Sequence, residues 1–271
     1  MLCSFSFLFL DCSSVQKSLN EGIHKKEYGV FLGVSNKMNE RLQGYETLVI
    51  EPSAFDATDI AIFHKSGQKV FGYLNVGALE NYRSYYAEYE RFALGVYEDW
   101  PDEKWMDVSK KEWQDFVVNT LALGIKEKGF DGFFVDNTDV YYNYRREEIY
   151  EGLISILKKL KSTGLKIIIN GGDTFVSKVL DEGENVFDCV NQECVFTSID
   201  FKANRYKKQK LEATEYFLEY LQKVRKHKKL VYLLEYGASK DLKDVIDSYC
   251  KNEGFVAFIS KDKNLTHEKS Y

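Results

Sequence analysis

Eight short apolar runs, helical spacing between them and a length of 271 residues predict an α/β fold, a single (β/α)8 TIM barrel, for which about 250 residues is the usual size. The runs, in order, are 28–34 (YGVFLGV), 47–52 (TLVIEP), 69–74 (KVFGYL), 132–136 (GFFVD), 166–170 (KIIIN), 186–190 (VFDCV), 230–236 (LVYLLEY) and 255–260 (FVAFIS). They are continuously apolar rather than alternating, as expected of parallel strands covered on both faces. Segments 111–128 and 147–161 between them have helical spacing. Ser109 and Glu112 stand at capping-box distance and predict a helix start there. Gly44, Gly67, Gly129, Gly164, Gly183 and Gly254 fall where helices end, and a left-handed glycine turns the chain back into the sheet. Periodicity alone fits a doubly wound open sheet as well. The first loop, however, lacks a GxGxxG phosphate cradle, which removes the main support for nucleotide binding.

Three segments are expected: residues 1–27 as an N-terminal segment, 28–262 as the barrel and 263–271 as a C-terminal tail. The apolar run FSFLFL (5–10) lacks a preceding basic region and is short for a complete export signal. It reads either as the remnant of one or as a strand-like segment packed on the domain, and Asp11 before Cys12 fits a lipoprotein cleavage site badly. A secreted or cell-envelope location is the expectation. No other stretch approaches the ~18 apolar residues of a membrane span.

The net charge of −5 supplies no basic footprint for nucleic acid. Cys3, Cys12, Cys189, Cys194 and Cys250 have no CxxC spacing and leave one unpaired, which argues against a zinc ribbon or a disulfide frame. Aromatic residues reach 15%, enough to fill a core and still offer rings at strand exits for stacking on sugar faces. A monomer without cofactor or metal is expected.

The chemistry concentrates at two strand exits. In GFDGFFVDNTDVYY (129–142) an apolar strand runs into Asp136, Asn137 and Asp139. The run at 186–190 leads into Asn191, Gln192 and Glu193 in the same way. All strand carboxyl ends of a barrel share one face, so Asp136 and Glu193 should converge there. Paired carboxylates are what glycoside hydrolysis uses. Asn137, Asn170, Asn191 and Gln192 are amides at the same face that can orient the acids or bind sugar hydroxyls. Tyr73 and Tyr141 are aromatic candidates for the substrate, and Asp131 and Asp139 are further acids. Acid clusters such as Asp131, Asp136 and Asp139 also suit calcium or magnesium, but the metal-free reading is adopted. Glu80 is either a wall of the site or a solvated helix start, and Glu235 either projects into the cleft or pairs with a core arginine. His24, His64, His227 and His267 lie outside the predicted strand ends, so neither a His-rich metal site nor a Ser-His-Asp triad has its parts. Lys69 begins its strand, leaving no Schiff-base lysine. More than 50 residues separate Leu74 from the fourth strand, an insertion rich in Tyr, Trp and acids.

Together GYLNVGALENYR (72–83), WPDEKWMDV (100–108), GFDGFFVDNTDVY (129–141), IIINGG (167–172) and NQE (191–193) resemble glycoside hydrolase family 114, the endo-α-1,4-polygalactosaminidase-like barrels. The resemblance covers nearly the whole chain from about Tyr28 onward. It implies a retaining endo-hydrolase of α-1,4-linked galactosamine-containing polysaccharide, with Asp136 as nucleophile and Glu193 as acid/base. Asn75 and Leu79 depart from the smaller or more polar residues expected there. The alternative is a non-catalytic carbohydrate-binding barrel serving exopolysaccharide or cell-surface assembly. An acidic cleft of Asp136, Asp139, Glu193 and Glu80 further predicts a preference for free amines, through charge-assisted hydrogen bonds.

Overall fold

The computed structural model describes residues 25–98 and 100–271. Its central sheet has eight parallel strands: β1 (Lys26–Phe31), β2 (Tyr45–Ile50), β3 (Lys69–Asn75), β7 (Gly132–Asp136), β8 (Lys166–Asn170), β9 (Cys189–Glu193), β12 (Leu230–Tyr236) and β13 (Val256–Ser260), hydrogen-bonded in that order. The first and last strands lie against one another, and the ring of Phe31 on β1 meets Phe258 on β13 edge-on at 5.1 Å. The sheet is therefore a nearly closed barrel.

Its strands are apolar on both faces because both are covered. Ile167, Ile168 and Ile169 are all fully buried, each worth roughly 1.5–3 kcal/mol of removal from water. The outer layer is amphipathic: helix Glu147–Ser162 buries Ile149, Leu153, Ile156, Leu157 and Leu160, the three-to-four spacing of one face, and leaves its lysines outside. The insertion after β3 is a three-stranded antiparallel sheet of β4 (Ala78–Glu80), β5 (Ala93–Val96) and β6 (Glu103–Met106), with β6 in the middle. A hairpin of β10 (Thr197–Asp200) and β11 (Arg205–Lys208) follows β9.

Several details differ from the sequence expectation. β9 starts at Cys189, later than the apolar run suggests, because Asp188 ends the approach to it: its carboxylate accepts from Ile167 N at 3.0 Å and pairs with Lys161 and Lys166 at the amino end of the sheet. Asn191, Gln192 and Glu193 are consequently the last three residues of the strand, not its exit loop. The capping box at Ser109 does not form. Its hydroxyl donates to Asp107 Oδ1 at 2.5 Å, and helix Lys111–Phe116 begins without a side-chain cap. That helix continues through a π turn at Val117–Ala122 into Leu123–Glu127. Of the six punctuating glycines, Gly44 alone is not left-handed. Within residues 263–271, Glu268 bridges to Ser260, accepts from Tyr45 Oη at 2.7 Å and pairs with Lys26 across the barrel seam. Most of the proposed N-terminal segment, with Cys3, Cys12 and His24, lies outside the described residues. Cys189, Cys194 and Cys250 are free thiols. No helix among the described residues is long and apolar enough to cross a membrane.

Candidate active site

At the carboxyl end of the sheet, Asp136 closes β7 and Glu193 closes β9, with β8 between them. The last residue of β8, Asn170, spans the gap. Its Nδ2 donates to Asp136 Oδ1 and to Glu193 Oε1, both at 2.8 Å. Two oxygens each 2.8 Å from one nitrogen stand no more than twice that distance apart, about 5.6 Å. The Asn170 amide is held in this sense because its Oδ1 accepts from Asn191 Nδ2 at 2.6 Å, while Asn191 Oδ1 accepts from Tyr28 Oη at 3.0 Å inside the barrel.

The remaining carboxylate oxygens are also engaged. Tyr73 Oη donates to Asp136 Oδ2 at 2.8 Å, and the backbone N–H of Asn137 donates to Asp136 Oδ1 at 2.9 Å. Tyr236 Oη, at the end of β12, donates to Glu193 Oε2 at 2.6 Å. Desolvation pushes the pKa of both acids up; hydrogen bonds from Asn170, Tyr73 and Asn137 oppose it at Asp136. At Glu193 the Asp136 charge adds to desolvation, against donors from Tyr236 and Asn170. Each acid thus has one neighbouring charge against it, Glu80 for Asp136 and Asp136 for Glu193, but Asp136 has three donors that favour its ionised form and Glu193 two.

The two acids line a cavity of about 840 Å³ shared by Tyr73, Glu80, Asn137, Asp139, Asn170 and Gln192. Local backbone makes this convergence possible. Asn137 turns out of β7 with a positive φ of 64°, a conformation Asn tolerates better than most residues. Gly172 is left-handed and so close to Thr138 that a Cβ would lie 1.9 Å from its hydroxyl. Its N–H donates to Asp139 Oδ2 at 3.1 Å. Desolvation, with the Asp136 charge, pushes Asp139 up to about 7.

Three expected residues are elsewhere. Asp131 precedes β7, so it sits at the amino end of the barrel, where its carboxylate accepts from Val70 N at 2.7 Å and pairs with His64 at 2.9 Å. A strand advances about 3.3 Å per residue, which puts the length of β7 between Asp131 and the cleft. Tyr141 packs between the rings of Tyr150 and Phe175, away from the cavity. Glu235 is fully buried and reaches neither the cleft nor an arginine. It accepts from Phe196 N, Thr197 N and Thr197 Oγ1, anchoring the segment between β9 and β10, and burial pushes it up to about 7.

The sequence reading also missed residues. Tyr236 stands at the end of a run already identified as a strand, so position alone pointed to it. Glu103, in the quoted WPDEKWMDV, lines the same cavity. Burial and the charges of Glu80 and Asp136 push it up to about 8. Glu80 is a buried wall residue rather than a solvated helix start: Arg83 Nη2 donates to its Oε1 at 2.9 Å and to Glu51 Oε2 at 3.1 Å. The two departing residues also acquire roles, since Leu79 is core and Asn75 accepts from Ala78 N at 2.8 Å, turning its Nδ2 toward Glu103 at 3.4 Å. Trp100, Phe201 and Lys263 complete the rim. No group of three or more His, Cys, Asp or Glu among the described residues is arranged to hold a metal ion.

The profile of glycoside-hydrolase family GH114 matches residues 14–270. Among solved structures, the glycoside hydrolase domain of PelA from Pseudomonas aeruginosa is 21% identical, with a TM-score of 0.77 over 89% of this chain and 96% of that one. Ega3 of Aspergillus fumigatus, solved in complex with galactosamine, is 18% identical, with a TM-score of 0.73 over 92% of this chain and 95% of its own. The α-galactosidase TtGalA of Thermus thermophilus is 9% identical and aligns at a TM-score of 0.57 over 86% of this chain and 57% of its own. These likenesses concern the fold. No curated protein matches the chain.

Proposed function

This chain belongs to glycoside-hydrolase family GH114, and from that premise we propose that it cleaves α-1,4-linked galactosamine-containing polysaccharide by a retaining two-carboxylate mechanism, with Asp136 as nucleophile and Glu193 as acid/base. One observation carries the mechanism: a single amide, Asn170, contacts an oxygen of each acid at 2.8 Å. The resulting upper limit of about 5.6 Å between those two oxygens supports the ~5–5.5 Å spacing of retaining enzymes over the ~6.5–9.5 Å of inverting ones.

In the first step Asp136 Oδ attacks the anomeric carbon while the carboxylic acid of Glu193 gives its proton to the departing glycosidic oxygen. The C–O bond to the leaving chain breaks as the glycosyl ester forms. Water then attacks the anomeric carbon, Glu193 takes its proton, and the bond from that carbon to Asp136 breaks to return the carboxylate. Tyr73 and Asn170 hold Asp136 facing the sugar, and Tyr236 holds Glu193. Tyr73, Asn137, Asp139 and Gln192, which line the cavity, are the substrate-binding residues of this reading. The galactosamine assignment is supported by the family and by Ega3, whose structure holds that sugar. A polysaccharide does not cross a membrane, so the enzyme acts outside the cell or in its envelope.

Incubation with a panel of amino-sugar polymers, galactosaminogalactan first, followed by mass analysis and NMR of the new reducing ends, tests the proposal. Internal cleavage with products initially of the α anomer is expected. Products initially of the β anomer would replace the retaining mechanism with an inverting one.

A further inference from the structure

The chain leaves the sheet directly after Glu193, and a buried carboxylate completes the ladder there. β9 pairs with β12 as far as Glu193 and Leu234, and Cys194 N still donates to Leu234 O at 3.0 Å. Cys194 is left-handed, with a φ of 57°, and its carbonyl turns away to accept from Gln209 Nε2 at 3.1 Å. A parallel ladder continued by one rung would have given that carbonyl to the N–H of Tyr236. Thr197 Oγ1 takes its place, accepting from Tyr236 N at 3.1 Å. A hydroxyl has one proton to direct, and this one goes to Glu235 Oε2. The two Glu235 oxygens also accept from Phe196 N at 2.9 Å and from Thr197 N at 2.8 Å.

Glu235 and Thr197 are buried, and neither lines the catalytic cavity. A glutamine of the same shape would offer one acceptor oxygen in place of two and set its NH2 against a donor. The three donors thus call for a carboxylate, and what they hold is one residue from the acid pair: Tyr236, whose backbone rests on Thr197, donates from Oη to Glu193 Oε2 at 2.6 Å. We propose that Glu235 is a positioning residue for Glu193: acting through the Thr197 hydroxyl, it fixes the backbone of Tyr236 and with it the phenol that holds the acid/base. This deepens the reading of Glu193 as acid/base and rests on it.

The consequence is read at Glu193. The Tyr236 hydroxyl favours its carboxylate form, so loosening Tyr236 raises the Glu193 pKa. The other groups facing Glu193 are Asp136, Asn170, Tyr28, Tyr97 and Cys194. Those facing Glu235 are Cys194 and, from helix Lys240–Glu253, Cys250, two thiols that burial pushes up. None of them is altered by a change at Thr197 or Glu235, so a shift at Glu193 in such a variant reports Tyr236. The same clamp also holds the start of the β10–β11 hairpin, which brings Ser198, Ile199 and Phe201 to the cavity; support of that hairpin alone would alter substrate binding and leave Glu193 as it was.

The test combines kcat/KM of the full chain on galactosaminogalactan across pH with carboxyl 13C NMR of glutamate-labelled protein, the Glu193 signal being assigned from Glu193→Gln. Thr197→Val keeps the shape and removes the oxygen. It should move both the alkaline limb and the Glu193 titration up by about half a pH unit or more, and lower kcat by up to about tenfold at nearly constant KM. Thr197→Ser restores the oxygen and should restore both values. Glu235→Gln should act as Thr197→Val does, and where it fails to fold the two Thr197 variants decide. With Tyr236→Phe already present, Thr197→Val should add no further shift, because the two changes act on one contact. A Glu193 titration that stays in place in folded Thr197→Val, or a shift that persists in full on the Tyr236→Phe background, overturns the proposal. So does a rise in KM alone. If the wild type cleaves the polymer and Glu193 does not move, the hydrolase reading stands and the positioning role falls; if Glu193 moves in the NMR titration and no polymer is cleaved, the reverse holds.

Discussion

The floor and the wall of the cleft treat their carboxylates in opposite ways. On the floor, every oxygen of Asp136 and Glu193 accepts from a neutral donor, Asn170, Tyr73, Tyr236 or a backbone N–H. In the wall, Glu80 and Glu103 oppose each other across two strands, Glu80 sharing Arg83 with Glu51 and keeping one buried oxygen that has no partner. Neutral donors on rigid strands position an acid without fixing its charge, which suits groups whose protonation must change during turnover.

The largest effects should come from the floor. Asp136→Asn and Glu193→Gln keep volume and hydrogen-bonding shape, and each should lower kcat on the order of 10⁴-fold with Tm little changed. Turnover by Asp136→Asn would move the nucleophile to another acid of the cavity, Asp139 first. Asn170→Ala should cost less, about 10²- to 10³-fold in kcat, the range for removing one preorganised donor, although it touches both acids. If Glu103→Gln in the wall lowers kcat as much as these, the separation of floor from wall is wrong.

Tyr236→Phe refines the comparison within the floor. The Tyr236 hydroxyl helps hold Glu193 down against desolvation and the Asp136 charge, so its removal raises the Glu193 pKa further. Glu193 acts as the acid in the first step, and the alkaline limb of the kcat/KM profile should therefore move to higher pH, with a loss of rate near tenfold. A limb that stays in place would assign that titration to another group.

How much of this was visible in the chain depended on which part was a strand. Asp136 and Asn170 end runs whose apolar character marks them as buried parallel strands, and their common face follows from the topology alone. Glu193 was found although the apolar run at 186–190 begins N-terminal to the strand itself, Cys189–Glu193, because an acid near the carboxyl end of a strand reaches the same face with a few residues of error. Asp131 was misplaced by the opposite logic: it lies close to Asp136 in sequence but across the length of β7. Glu235 sits inside a strand where side chains alternate in direction, and nothing in LLEYG tells which way it faces. The Glu80–Glu103 pair was out of reach, since the pairing of β4 with β6 spans more than 20 residues of insertion without a periodic signal. Cross-strand register of that kind is a tertiary property.

The smallest effect tests whether the wall is strained by its own charge in the absence of ligand. Glu103 is pushed up to about 8, and Asp139 and Glu235 each up to about 7. A carboxyl raised above its unfolded value binds its proton more tightly in the folded chain, so its contribution is fully present below the unfolded value near 4 and is lost as pH rises toward the folded one. Glu51, Asp59, Asp107 and Asp188 are held below the usual carboxylate range and act in the other direction, costing stability only when pH falls below about 4. Thermal stability should therefore peak near pH 5 and decline toward pH 8. Asp136 and Glu193 are raised as well, so the decline is shared among five carboxyls, and the part that belongs to the wall is the part that Glu103→Gln removes, weighted toward pH 8 because Glu103 keeps its proton longer than Asp139 or Glu235. The expected fall toward pH 8 is a few degrees in Tm, the scale of about 1 kcal/mol in a chain of this size, and Glu103→Gln should reduce it while leaving the remaining decline to the other four carboxyls. A wild-type Tm that is flat from pH 7 to 8, or a decline that Glu103→Gln leaves intact, would mean that the cross-strand pair carries no charge strain.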